Sequence, residues 1–346
     1  MSFDVTRKEK FRTLAFLERD LTDLHIHVGA SVAPHIMWSI AKEQGLRLPT
    51  RNYWQFLELI TVSDRNVRSV EDYLAILHRW TEKIQSSPEA MERCVYEIIS
   101  KEYRGSNVTR IEIRFNPMKR NLGGELDLDH IIHASLRGLD QACLEYSCEA
   151  GLIFCMAREA PYAQNAILVE KAIKYRDRGV VAVDLAGPEK EPIERDEEAL
   201  ARYAALLKRA RDAGLKVTIH TGETTATGPE GVIAAARKLR PTRIGHGIQA
   251  ARSDEAMKVL REEGIVLELC PSSNVGCRTV DGIEGLRSTV RRFVEAKVPF
   301  TINTDGTYLL KTNLLNEIKL LHENRILDEP EIRAAVDRAW EASFLS

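Results

Sequence analysis

Four histidines and two carboxylates in this chain stand in settings where they could do chemistry together. His25 and His27 lie in "DLHIHVGAS", His220 and Glu223 in "KVTIHTGE", His246 in "TRIGHG" and Asp305 in "TINTDG". Imidazole nitrogens and carboxylate oxygens match a divalent transition metal, zinc by default, with iron, manganese and cobalt able to use the same donors. A bound divalent ion lowers the pKa of its water towards roughly 7 and so provides a nucleophile at neutral pH. Attack by that nucleophile needs a proton shuttle. Glu223, three residues beyond His220, is the carboxyl placed for it, because a dry pocket keeps a carboxylic acid protonated. A His-x-His pair alone is weak evidence, and its weight here comes from the company it keeps. His35, His78, His130, His133 and His322 fall in helical or loop segments and are expected at the surface, whereas Cys270 in "LELCPSSN" reads as a packed residue and not a ligand.

These residues are hundreds of positions apart, so a fold must gather them. Short β-branched runs are expected as strands over 21–28, 108–115, 151–157, 180–187, 215–221, 242–247, 264–270 and 298–305. Helical patterns separate them, such as "EALARYAALLKRARDAG", whose apolar positions recur every three or four residues and which stops at Gly214. Gly179 and Gly264 punctuate the chain in the same way before two further strands. Strands alternating with helices imply parallel pairing, and eight such units predict an α/β fold, a closed (β/α)8 TIM-type barrel. Strand residues two apart share a face, so His25 and His27 point together into the barrel. His220, His246 and Asp305 join them at strand carboxyl ends, the catalytic face of such barrels. The interval between the first two strands is far longer than one crossover helix requires, which predicts a helical insertion over about 29–107 in a single domain spanning 1–346. Within it the aromatic cluster "YWQFLELI" at 53–60 is read either as helix packing or as a lid over the site.

Composition narrows the partners. Forty-nine basic residues against fifty-one acidic ones leave a net charge of −2, without the electrostatic footprint of a nucleic-acid-binding protein. No apolar run reaches the roughly 18 residues of a membrane helix. Six cysteines, without a paired CxxC spacing, are expected to be reduced thiols. The amino-terminal sequence has scattered charge and no apolar block, so a cytoplasmic location is expected. A small-molecule partner, a nucleobase or nucleoside included, fits all of this.

The motifs "LHIHVGAS", "VDLAGPE", "HTGE", "RIGHG", "LELCPSSN" and "NTDG" occur in an order that resembles the adenosine deaminase family of the amidohydrolase superfamily, and the likeness runs from the first strand to the terminal "WEASFL". The resemblance implies one zinc ion held by His25, His27, His220 and Asp305. It implies that Glu223 protonates N1 of a 6-aminopurine, that His246 orients the attacking water, and that Gly187 lets backbone approach the purine edge. The reaction implied is hydrolytic release of ammonia from C6. The chain departs from the family at two places. Members acting on adenosine usually carry a second aspartate after the metal-binding one, and here it is Gly306. They commonly carry Asp or Asn two residues after the histidine pair, and here it is Gly29. Both glycines are expected to border the substrate, leaving room for a bulkier substituent and shifting preference away from plain adenosine. The alternative is a different hydrolysis on the same barrel, of another amino-heterocycle or a cyclic amide. Two-metal relatives of that kind use a carboxylated lysine on strand four. Here strand four, "VVAVDLAG", has no lysine, which favours a single metal.

Overall fold

The computed structural model of the protein describes residues 12–17, 20–190 and 192–345. The amino-terminal stretch, in which no targeting signal is expected, lies largely outside them. Eight strands follow in chain order: β1 Leu21–His27, β2 Val108–Phe115, β3 Glu149–Ala157, β4 Val180–Ala186, β5 Lys216–Thr221, β6 Arg243–His246, β7 Val266–Leu269 and β8 Phe300–Ile302. Each pairs with the next, all seven pairings are parallel, and the order is sequential. The seam between last and first strand is closed beyond β8 itself. The His27 amide donates to the Asp305 carbonyl at 2.7 Å, and the Asp305 amide donates to the His25 carbonyl at 2.7 Å. The fold is the expected (β/α)8 barrel.

The last three strands are shorter than the apolar runs that announce them, and backbone geometry says why. After β6 the chain turns through His246 (φ 60) and Gly247 (φ 64). After β7 it passes Cys270 into a short helix, Pro271–Gly276, where proline has no amide to give a ladder. After β8 it turns at Asp305 (φ 61). A left-handed conformation costs a non-glycine residue roughly 1–2 kcal/mol, so the two non-glycine turns sit where the side chains are to be aimed, not where the backbone is most comfortable.

Amphipathic helices form the outer ring. The helix Glu197–Asp212 is typical: Asp196 caps it by accepting the Ala199 amide at 3.0 Å, and it buries Leu200, Tyr203, Leu206, Leu207 and Ala210 along one stripe. Each such large apolar side chain contributes about 1.5–3 kcal/mol when fully buried. Gly214 then ends the segment with φ 92. Between β1 and β2 lie the helices Pro34–Glu43, Tyr53–Leu59, Val70–Ile76 and Pro88–Ser106. The Tyr53–Leu59 helix packs Phe56 on Trp38, ring centroids 5.0 Å apart, and leaves Trp54 exposed. The segment that covers the barrel mouth is a different one, Val70–Ile76 with the π-helical turn Leu77–Thr81 that continues it. A satellite apolar cluster of Ala30, Val67, Val70, Tyr73, Ile76, Leu77, Cys277 and Leu309 seats it. Among the described residues no helix is long and apolar enough to cross a membrane.

Candidate active site

At the carboxyl ends of the strands, the ring nitrogens of His25, His27 and His220 come together, all within 4.8 Å of one another. His27 Nε2 is 3.2 Å from His220 Nε2. Asp305 Oδ1 lies 3.7 Å from His27 Nε2 and 3.9 Å from His25 Nε2. Ser273 donates to the other oxygen, Oδ2, at 2.5 Å, which leaves Oδ1 facing the imidazoles. The pleat explains the convergence: His25 and His27 are alternate residues of β1, and β5 and the turn after β8 bring in the rest.

A second layer fixes each ring. His25 Nδ1 is 2.8 Å from Glu268 Oε2, and His220 Nδ1 is 2.9 Å from Asp184 Oδ2. Between these carboxylates sits Arg114, bonded to Asp184 at 3.1 Å and Glu268 at 2.8 Å, with all three side chains fully buried. Arg243 and Thr218 hold the far oxygen of Glu268 at 2.7 and 3.1 Å. Burial alone would raise the Asp184 pKa, but His220 and Arg114 outweigh it and hold the group well below the usual carboxylate range. The result is a pair of ionised carboxylates that take the Nδ1 protons and turn both Nε2 lone pairs inward.

The donor set fits a divalent metal ion. His25 Nε2 is buried with no hydrogen-bond partner, an uncompensated acceptor that costs free energy unless something electropositive meets it. Burial, with Arg114 and the other imidazoles, keeps the pKa values of His25 and His27 well below the ordinary histidine value, so these rings are neutral ligands. A second grouping, His25 with His246 and Cys270, is also close enough to share an ion. Burial pushes the Cys270 thiol well above its ordinary value and its sulfur contacts the Glu268 carbonyl at 3.6 Å, so it is a packed thiol and a poor ligand.

Glu223 and His246 flank this cluster, Oε1 to Nε2 at 3.8 Å. Burial, then the charges of Glu189 and Asp305, raise the Glu223 pKa well above the ordinary carboxylic value, which favours the protonated acid. Glu189 also anchors the loop that presents it, accepting from the amides of Glu223 at 3.2 Å and Thr224 at 2.7 Å and from the hydroxyl of Thr227 at 2.6 Å. Asn274 Nδ2 lies 3.1 Å from His246 Nδ1. With the amide nitrogen as donor, the ring proton sits on Nε2, towards Glu223.

One cavity joins these groups, bordered by His27, His220, Glu223, His246 and Asp305 at one end and by Gly29, Lys119 and Arg120 at the other. Gly187 borders it too, at φ 103, and a side chain there would run into Glu159. Gly29 also lines it. Gly306 does not, and here the expected room is absent: a Cβ on Gly306 would stand 2.5 Å from both Ala30 Cβ and the Tyr73 hydroxyl. Tyr73 has taken that space. Its hydroxyl is buried without a hydrogen-bond partner.

Sequence reasoning passed over Arg114, Asp184, Glu268, Glu189 and Tyr73. Asp184 and Glu268 carried a usable signal, since each is a charged residue inside an otherwise apolar strand and so demands a buried partner, whereas Arg114 shares β2 with Arg110 and Glu112.

The family model for adenosine deaminase matches residues 21–346. The adenosine deaminase of Clostridium kluyveri is 32% identical over 326 residues, covering 94% of this chain and 89% of that protein. Among solved structures, the adenine deaminase of Arthrobacter aurescens superposes with a TM-score of 0.82 at 18% identity, covering 94% of each chain. An amidohydrolase from Burkholderia ambifaria, solved with bound Zn, superposes with a TM-score of 0.82 at 19% identity, covering 94% of this chain and 86% of that one. The matched region contains every strand that carries the cluster, and the chain belongs to the adenosine deaminase family.

Proposed function

We propose that the protein is a zinc-dependent hydrolytic deaminase of a 6-aminopurine, free or as nucleoside, with His25, His27, His220 and Asp305 as metal ligands, Glu223 as proton donor and His246 as the residue that orients water. Zinc is the ion the three-imidazole, one-carboxylate set suits best, and when bound it would supply the Lewis acidity that activates a water for attack. The observation that carries the reading is the convergence of Glu223 and His246 with His25, His27, His220 and Asp305 at the end of one cavity. In an aminopurine, N1 adjoins the amino-bearing C6. A proton delivered there by Glu223 makes C6 electrophilic, water adds its oxygen to C6, and the amino group departs as ammonia, leaving a 6-oxopurine. Gly187 admits the ring edge where any side chain would collide with Glu159. The names of the family's relatives support an aminopurine over other amino-heterocycles. One barrel domain with a helical insertion at about 29–107, and a cytoplasmic location, belong to the same reading; six unpaired thiols support the latter.

The test is ammonia release from adenine, adenosine and adenosine 5′-monophosphate by the zinc-loaded protein, beside Glu223→Gln. Turnover of at least one substrate is expected, with a fall of about 10²- to 10⁴-fold in the variant while zinc content stays unchanged. No ammonia from any of the three, or a variant as active as the parent, overturns the assignment.

A further inference from the structure

The cavity does not end at the imidazoles. Its far end lies against Gly29, two residues beyond His27, and there the lining becomes basic. Lys119 and Arg120 both stand on the short turn Pro117–Arg120 that follows β2, and Asn116 fixes that turn by accepting the Met118 amide at 2.8 Å. His78, on the π-helical turn of the insertion, faces them across the opening.

Each of these cations has a carboxylate beside it. Glu82 lies 3.3 Å from Arg120 Nη1 and 2.7 Å from His78 Nδ1, and Glu159 takes Lys119 Nζ at 2.5 Å. Glu159 is 36% exposed at the rim, whereas Glu82 is buried and borders the cavity beside Arg120. Arg120 is itself only 2% exposed, its Nε has no hydrogen-bond partner, and its Nη2 lies 3.4 Å from the point where a Cβ on Gly29 would be. Glu82 meets this guanidinium at Nη1, which leaves the Nη2 edge beside Gly29 to face the cavity and to grip a second planar acceptor there.

We infer that this end of the cavity is an anion subsite, and that the preferred substrate is an aminopurine whose ribose-side substituent bears a phosphate or a carboxylate gripped by Arg120. The inference rests on the deaminase reading for the orientation of the substrate, amino group at the imidazoles and substituent towards Gly29. Glycine at position 29 is then a specificity determinant, because it leaves the Arg120 edge uncovered. Lys119 adds a second charge once Glu159 moves aside. Phosphate and carboxylate present the same paired oxygens to a guanidinium, and length of the connecting arm decides between them.

Two measurements on the zinc-loaded, full-length protein test it. The first is kcat/KM for adenosine, adenosine 5′-monophosphate, adenosine 5′-carboxylate and 5′-O-succinyladenosine. At least one anionic compound is expected to exceed adenosine by about 10- to 100-fold, the range of a charge-assisted hydrogen-bonded pair. Which compound leads names the anion and the arm. Adenosine leading all three overturns the subsite and leaves the deaminase intact. The second is calorimetric binding of inosine and inosine 5′-monophosphate, which needs no turnover and so stands even if no ammonia is released. Tighter binding of the monophosphate, with that advantage erased in Arg120→Gln, supports the subsite. Equal binding of the two by the parent protein, together with no advantage for any anionic substrate, overturns it. If Arg120→Gln does not fold, Gly29→Asp serves instead, since it sets a carboxylate against Nη2 and is expected to reverse the preference towards the uncharged nucleoside; an unchanged preference in Gly29→Asp overturns the proposal.

Discussion

His25, His27, His220 and Asp305 hang from β1, β5 and the turn after β8, which backbone pairing holds in place, with an irregularity in the β1 register between Asp23 and Ile26. Tyr73, His78, Lys119 and Arg120 face them across the same cavity, yet they stand on helical turns outside the sheet, held by side-chain packing and a few caps. The two ends obey different constraints. A shift of one residue in a strand would turn every ligand away from the cavity, so the chemical end tolerates no drift. The recognition end can exchange residues without disturbing the barrel. That asymmetry leaves room for the recognition end, Gly29 included, to vary while the imidazole and carboxylate cluster stays in place.

The comparison is broken or sharpened by substitutions at each end. At the chemical end, His27→Ala is expected to remove both metal and turnover; metal analysis of the purified variant reads it, and a full complement of zinc would strike His27 from the ligand set. Asp184→Asn is expected to weaken metal affinity by about 10- to 100-fold, because it loosens the His220 ring without touching the ion. Competition with a chelator measures it, and an unaltered affinity would mean that Arg114 and Glu268 suffice to fix the cluster. At the recognition end, Tyr73→Phe removes a buried hydroxyl that has no protein partner. Its loss is expected to lower kcat/KM for the preferred substrate by about 2- to 10-fold with zinc content unchanged. A fall as large as that of Glu223→Gln would move Tyr73 into the chemical set and erase the division. Trp54→Ala lies on the insertion but away from the cavity, and thermal unfolding is expected to stay within about 0.5 kcal/mol of the parent. A change in kcat/KM for Trp54→Ala would show that the Tyr53–Leu59 helix covers the site after all.

Legibility in the sequence followed the same division. The strands could be read because alternation and β-branching are local signals, and β2 runs over 108–115 as expected. β8 could not be bounded, because residues up to 305 are apolar or small enough for a strand while the ladder stops at Ile302 and the seam is closed by single bonds. The imidazoles were visible because they fall at strand ends. Arg114, Asp184 and Glu268 were missed because the partners that justify them lie on other strands, up to 243 residues away. The roof stayed open between two readings for a related reason. "YWQFLELI" carries the aromatic residues, but Val70–Ile76 covers the mouth, and nothing local to either helix states which of them meets the loop after β8. Gly306 shows the limit most plainly: a glycine reads as open space, and here Tyr73, more than 200 positions earlier in the chain, has filled it.

The seam between β1 and β8 sets the order in which the molecule becomes competent. Asp305 reaches His25 and His27 through its own backbone as well as its side chain, so docking the final strand and completing the ligand set are one event. That contact spans most of the chain, a costly loop to close and a late one to form. A nascent chain still short of residue 300 holds two histidines on an unpaired edge strand and no site at all. Gathering the metal-binding cluster therefore waits on the closing of the barrel.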